Sequence, residues 1–276
     1  MKNEKNKEDV KVFSLASANK TLKVKSEFNT VPLKDFTAIE MDLLFTIMTQ
    51  MRDKGLQKVK FYFEDLKELS KYSYVGSLTK FAEDLDRVYS KLISLNVKIG
   101  TDRKWTRFVF FTDYTIDMDS QTITVSSHPN YAHLINDYLK ASYTQIELEE
   151  IVSLSSKYSK GLYRLLKQFR STGFYKVSVE DFRKLLDIPE TYVFSNIRQK
   201  VLKPAFKELK EYFEDFKVKE IKAKGKRGVG SLEFSFVPEK NNTFEKDKYK
   251  NRNNFLTDVE YKKQQEKIAE DFWKNQ

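Results

Sequence analysis

The chain contains no cysteine, two histidines and no long apolar run in its 276 residues. Without cysteine it cannot form disulfides, cysteine-ligated zinc sites or a thiol nucleophile, a composition that fits a reducing compartment. Its apolar stretches are as short as Phe108 to Phe111, against the roughly 20 residues that a membrane-spanning helix needs. No membrane partner is expected. Lys2, Lys5, Lys7 and Lys11 alternate with Glu4, Glu8 and Asp9 at the start, with no apolar signal segment, so a cytoplasmic location is expected. His128 and His133 stand five apart, the first next to Pro129, and do not supply the close pair that a metal-dependent tyrosine nickase requires. Gly225 to Ser231 has the glycines of a phosphate loop, but Gly230 stands where its lysine must be. A hairpin turn accounts for those glycines, and no cofactor, metal site or catalytic residue is expected.

What is present is positive charge and regular patterning. Lysine and arginine number 50 against 40 acids, a formal net charge of +10, which points to a polyanionic partner. The length suffices for two domains, each with its own core. Ile39, Leu43, Leu44, Ile47, Met48 and Met51 recur at helical spacing after the capping pair Thr37 and Glu40. Val59 to Phe63 alternates as a strand, Glu64 to Leu69 returns to helical spacing, and Phe81, Leu85, Val88, Tyr89, Leu92 and Leu95 mark a third helix. Arg107 to Phe111 and Thr122 to Val125 are β-prone, with a turn at Asp117 to Ser120. Helix, strand, helix, helix, strands is the order of a winged helix, in which a helix-turn-helix is followed by a β-hairpin.

The same order recurs. Leu148, Ile151, Val152, Tyr158, Leu162, Leu165, Leu166 and Phe169 form a helical stripe that ends near Gly173, the expected C-cap. Lys176 to Leu185 then repeats the strand, Glu-Asp, short-helix sequence of Val59 to Leu69. A turn at Ile188 to Glu190, a helix through Ile197, Val201, Leu202, Phe206 and Leu209, and a basic β-prone stretch from Phe216 to Val237 complete the unit. Pro204 has no N–H for the carbonyl of Lys200, which predicts a kink or break near Lys203. No Gly/Ser linker separates the units; Ser127 to Gln145 reads as helical through Tyr131, Leu134, Ile135, Tyr138 and Leu139. The expected fold class is α+β: tandem winged-helix domains over residues 21–140 and 141–239. A flexible N-terminus over 1–20 precedes them, and a polar, partly helical or disordered tail over 240–276 follows.

Two stretches suit DNA. Lys217, Lys219, Lys222, Lys224, Lys226 and Arg227 surround a single acid, Glu220, in a hairpin that ends at a Gly-Lys-Arg-Gly turn. As a wing, its cations neutralise phosphates; as an ordinary edge strand, its lysines guard against aggregation. The preceding helix carries Ser195, Asn196, Arg198, Gln199, Lys200 and Lys203. Arginine or lysine donates to guanine, and asparagine or glutamine pairs with adenine; the other reading is a plain solvated face. The corresponding first-unit residues are Ser77, Thr79, Lys80 and Arg87, with Asp84 and other acids among them. Arg103 and Lys104, with Arg107 around Trp105, form a first candidate wing, although an aromatic there also serves as a packing anchor.

The second half resembles the replication initiators of iteron-containing theta plasmids. The likeness runs through Leu154 to Ser159, Leu162 to Leu166, Ser178 to Leu186, and Tyr192 with Arg198 to Ala205, a helix bearing a proline. The first half agrees more loosely, at Asn29, Leu33, Thr37, Glu40 and Leu43 to Phe45, so the resemblance covers roughly Thr21 to Pro238. It implies binding to directly repeated origin DNA, opening of adjacent AT-rich DNA with a host initiator, and recruitment of the replicative helicase. It also implies a homodimer in equilibrium with monomer that represses its own promoter. The residues alone permit a winged-helix transcription regulator equally well, and a rolling-circle nickase using one of the 15 tyrosines is the third reading.

Overall fold

The computed structural model describes residues 10–25, 28–29, 31–73, 77–94, 97–101, 104–108, 111–127, 143–223, 225 and 227–239. The expected boundary at 140/141 and the tail from 240, with its C-terminal helix, lie outside them. Part of the segment expected to be flexible instead carries β1 (Val10–Val12), which pairs in parallel with β3 (Lys58–Tyr62). The parallel partner, distant in sequence, is what orders it.

The first unit is built around α1 (Ala38–Met51), which starts where the sequence predicts. The Glu40 amide donates to Thr37 Oγ1 at 3.3 Å and the Thr37 amide to Glu40 Oε2 at 2.7 Å. Its apolar residues are buried almost all round, as in a helix enclosed on several sides, although Ile39 faces solvent. After β3 come α2 (Phe63–Leu69) and α3 (Leu78–Ser94), the helix-turn-helix pair. Phe81, Leu85, Val88 and Leu92 turn the apolar stripe of α3 inward. Two hairpins follow. β4 (Val97–Thr101) and β5 (Lys104–Phe108) form a two-stranded sheet of their own. β6 (Phe111–Asp117) and β7 (Thr122–Ser127) join β3 in the order β1-β3-β7-β6. Val59 faces Val125 and Phe61 faces Ile123, so the period-two pattern of β3 meets its match across the ladder.

The residues that carry the helical expectation for the connection, Tyr131 to Leu139, lie outside the described residues, and only the end of that segment is seen, as a strand. Tyr143–Glu147 forms this strand, β8, antiparallel to β2 (Thr21–Lys25). Thr144 and Ile146 are buried and alternate with less buried neighbours, a period of two that β2 satisfies with backbone hydrogen bonds. The single stripe expected from Leu148 to Phe169 is two helices, α4 (Leu148–Ser153) and α5 (Lys157–Gln168). Leu154 is extended, Ser156 caps α5 by accepting from the Tyr158 amide, and Ser155 bonds Glu208. Serine hydroxyls favour such caps over helix interiors.

The second unit continues with β9 (Phe174–Ser178) and α6 (Val179–Leu185), capped by Ser178. Gly173 precedes β9 at φ 64°, and an added Cβ would lie 2.3 Å from the Phe236 carbonyl, so glycine is required there. A helical run follows: α7 (Phe194–Ile197), a π-helical turn over Arg198–Leu202, and α8 (Lys203–Leu209). The expected break before Pro204 thus takes the form of a widened turn, in which the Lys203 amide donates to the Arg198 carbonyl. A proline removes the next regular bond and crowds the carbonyl four residues back, and widening accommodates both. β10 (Lys217–Lys222) and β11 (Val229–Ser235) complete a sheet ordered β10-β11-β9, with Phe234 facing Tyr175 and Leu232 facing Val177. Both units therefore have the winged-helix order.

The two units share one hydrophobic cluster, and buried charges cross between them. The Lys160 ammonium on α5, wholly buried, donates to Asp42 on α1 at 2.5 Å and to the Ile151 carbonyl at 2.8 Å. Burial pushes the Asp42 carboxyl up to about 7 despite Lys160, and burial also pulls Lys160 down. Desolvation thus outweighs the attraction of Lys160 at Asp42, and removing either partner alone would leave the other buried without its counter-charge. Arg164, fully buried over the Phe28 ring, donates to the Val31 carbonyl at 3.0 Å.

Candidate nucleic-acid interface

The helix-turn-helix of the second unit is held by its own turn. Arg183 on α6 donates to the carbonyl of Tyr192 at 2.5 Å, closing the loop just ahead of α7. Asp187 in the same loop accepts from Lys157 at 3.2 Å and from the Asp35 amide at 3.0 Å, which ties the loop to α5 and to the segment before α1. Rigid support of this kind fixes the angle at which α7 leaves the body.

From that base Ser195, Arg198, Gln199, Lys200 and Lys203 are exposed, while Ile197, Val201 and Leu202 are buried. The inward and outward faces expected from the sequence are those of the structure. Asn196 is half-buried, and its Oδ1 accepts from the Val193 amide at 3.2 Å. That bond is the N3-side-chain-to-N-cap half of a capping box, and it engages one lone pair of the oxygen that paired bonding to adenine would use. Gln199 is exposed. The Lys200 ammonium lies 4.8 Å from the Tyr192 ring centroid.

Arg198 reaches the hairpin. Its Nε donates to Glu220 Oε1 at 2.7 Å and its Nη2 to Oε2 at 2.6 Å, a two-pronged pair between the π-helical turn and β10. The bond from Arg198 holds the Glu220 carboxyl below its ordinary value. On the hairpin, Lys217, Lys219, Lys222 and Arg227 are exposed. Positive φ at Gly225 and Gly228 and a bond from the Ala223 amide to the Gly228 carbonyl form the turn. Lys224 and Lys226 lie outside the described residues. The structure thus places one polar helical face beside one basic hairpin, with an arginine joining them.

The matching face of the first unit is differently occupied. Ser77 accepts from the Lys80 amide at 3.3 Å and opens α3, and Thr79 is exposed. Lys80 pairs with Asp84 at 2.9 Å, and Arg87 pairs with both Asp84 and Glu40. Lys91 reaches Glu40 at 2.6 Å. Burial alone would raise the Glu40 pKa, but the bonds from Lys91 and Thr37 hold it below the ordinary value. Lys104 lies on β5 opposite Thr101 in the separate β4–β5 sheet, and Arg103 lies outside the described residues. The hairpin that extends the main sheet has an exposed acidic turn, Asp117 to Asp119, with Asp117 accepting from the Asp119 and Ser120 amides.

Sequence reading missed Arg183, the pairing of Glu40 with Arg87 and Lys91, and the partnership of Glu220 with Arg198. Only the spacing of Lys80, Asp84 and Arg87 signalled neutralisation in advance, since residues three and four apart share a helix face. Among the described residues, no helix is long and apolar enough to cross a membrane, and no group of three or more His, Cys, Asp or Glu is placed to hold a metal ion.

Two family descriptions match the chain in tandem, "Initiator Replication protein, WH1" over residues 21–167 and "Initiator Rep protein, WH2" over 178–236. The chain is 35% identical over 193 residues to the "Probable replication protein rep" of Bifidobacterium longum (strain NCC 2705), a match covering 69% of this chain and 65% of that protein. It therefore spans just under two thirds of that relative. It also resembles the crystal structure of Pi initiator protein in complex with iteron DNA, with a TM-score of 0.61 at 16% identity over 81% of this chain and 99% of that one. At this identity the likeness is one of fold.

Proposed function

Because the chain belongs to the initiator replication protein family, matching its WH1 and WH2 descriptions over most of its length, we propose that it starts plasmid replication by binding repeated origin DNA. The observation that carries this is the exposed Ser195, Gln199, Lys200 and Lys203 face beside the basic β10–β11 hairpin. The helix enters the major groove, where Gln199 and the cations meet base edges. Lys222 and Arg227, with Lys224 and Lys226, neutralise backbone phosphates. The first unit, with Thr79 among the exposed polar side chains of α3 and Lys104 on its side hairpin, serves mainly to hold and orient the second. No catalytic step is assigned to the chain, and its partner DNA lies in the cytoplasm.

The family match favours an initiator over a transcription regulator, and repression of its own promoter by a dimer is compatible with it. Interaction with a host initiator and the replicative helicase belongs to the same proposal. Footprinting on the DNA around the coding gene tests it. Protection of tandem repeats beside an AT-rich tract is expected. Protection of only a lone palindrome over a promoter would instead support the regulator, and uniform weak binding everywhere would overturn sequence-specific recognition.

A further inference from the structure

Resting on the reading of the second unit as the DNA reader, we propose that Glu220 is a positioning residue that presets Arg198 as a guanine-reading fork. Arg198 is the only arginine from Ser195 to Lys203, and Glu220 is the only acid from Lys217 to Gly228. An acid in the middle of a surface built for phosphate weakens that surface for any duplex. Its place is explained by what it holds.

The carboxylate takes the side of the guanidinium, Nε at 2.7 Å and Nη2 at 2.6 Å. A guanidinium has five N–H donors in a rigid plane. Side-on pairing uses the Nε–H and one Nη2–H, and leaves both Nη1–H and the second Nη2–H at the far end. Two of those form the parallel pair that fits O6 and N7 of guanine. The Phe194 ring centroid lies 5.2 Å from the guanidinium carbon and restrains the plane from another direction. The Arg198 side chain remains 45% exposed, so its free end is accessible.

An exposed ion pair of this kind adds little to stability, but it removes rotamer freedom that an unheld arginine would lose on binding. Lysine at Lys200 and Lys203 has no such fork and suits phosphate as a point charge. Glu220 thus has two opposite effects: it repels phosphate on every duplex and sharpens one base contact on the right one.

The test uses a duplex selected from a randomised pool by the wild-type protein, a shuffled duplex of equal length, and a series with each guanine in turn replaced by 7-deazaguanine, which lacks N7. Binding is measured at one fixed salt concentration for wild type, Glu220→Gln, Glu220→Ala and Arg198→Lys, with thermal melting of each protein alongside. Wild type should lose roughly five- to a hundredfold at one 7-deazaguanine position. All three variants should lose sensitivity at that same position. The Glu220 variants should bind the selected duplex about tenfold more weakly and the shuffled duplex no more weakly, with unchanged melting. Glu220 variants that keep the 7-deazaguanine sensitivity, or that tighten equally on both duplexes, reduce Glu220 to a charge screen and overturn the proposal. A wild type that does not prefer its selected duplex to the shuffled one sinks the DNA-reading function itself, a separate and recognisable failure.

Discussion

The two winged helices place cations on the same helix and use them differently. On α3, Lys80 and Arg87 are bound to Asp84 and Glu40, and the hairpin of the main sheet ends in Asp117 and Asp119. On the α7–α8 run, Gln199, Lys200 and Lys203 face outward beside an exposed basic strand. A cation already held by a buried or half-buried carboxylate has less to gain from a phosphate, because the new contact replaces an old one. The proposed division into a brace and a reader rests on this difference in which cations are already paired, and the two units are joined through α1 and α5.

The largest expected effect tests the joint. Lys160→Met should cost about 3–5 kcal/mol of stability by leaving Asp42 buried without its partner, and Asp42→Leu with Lys160→Met should recover most of it. Urea unfolding followed by far-ultraviolet circular dichroism and by tryptophan fluorescence should give one coincident transition in the wild type. Separate transitions would show that the units are independent.

Next in size is base reading. Gln199→Ala and Lys200→Ala should each weaken binding to a selected duplex by roughly 1–3 kcal/mol, with much less change on random DNA. Thr79→Ala on α3 should cost under about 1 kcal/mol. Equal losses in titrations of both units would erase the distinction between them.

Salt dependence sharpens the same contrast. Lys222→Ala with Arg227→Ala should flatten the slope of log affinity against log salt by about one per lost phosphate contact. Lys80→Ala with Arg87→Ala should flatten it less, since both cations are already paired. A larger effect from the α3 pair would assign the phosphate path to the first unit.

A separate test is one of pH, and its effect has opposite signs at two neighbouring carboxylates on α1. Asp42, raised to about 7 by burial, contributes stability below its unfolded value near 3.8 that is lost as pH rises through 7. Glu40, held below 4.5 by Lys91 and Thr37 against its burial, contributes stability above 4.5 that is lost as pH falls through its folded value. Asp42→Asn should abolish the decline in denaturant midpoint between about pH 4 and 7. A midpoint profile identical to wild type would remove Asp42 from the joint.

Local pattern carried much of this protein. Thr37 and Glu40 mark the start of α1, period-two burial marks β3 and β9, and the outward face of Ser195, Gln199 and Lys203 follows from Ile197, Val201 and Leu202 facing in. These features depend on neighbours within a few residues, so chain order alone contains them. The disturbance before Pro204 was legible for the same reason, although its form as a π-helical turn was not. Pairings between distant segments were decided only by the fold: β2 with β8, Lys160 with Asp42, Arg87 with Glu40, and Arg198 with Glu220. Each partner separately reads as an ordinary strand or surface charge. What a lysine or arginine does depends on which carboxylate three-dimensional packing brings within hydrogen-bond reach, and one-dimensional spacing does not encode that distance.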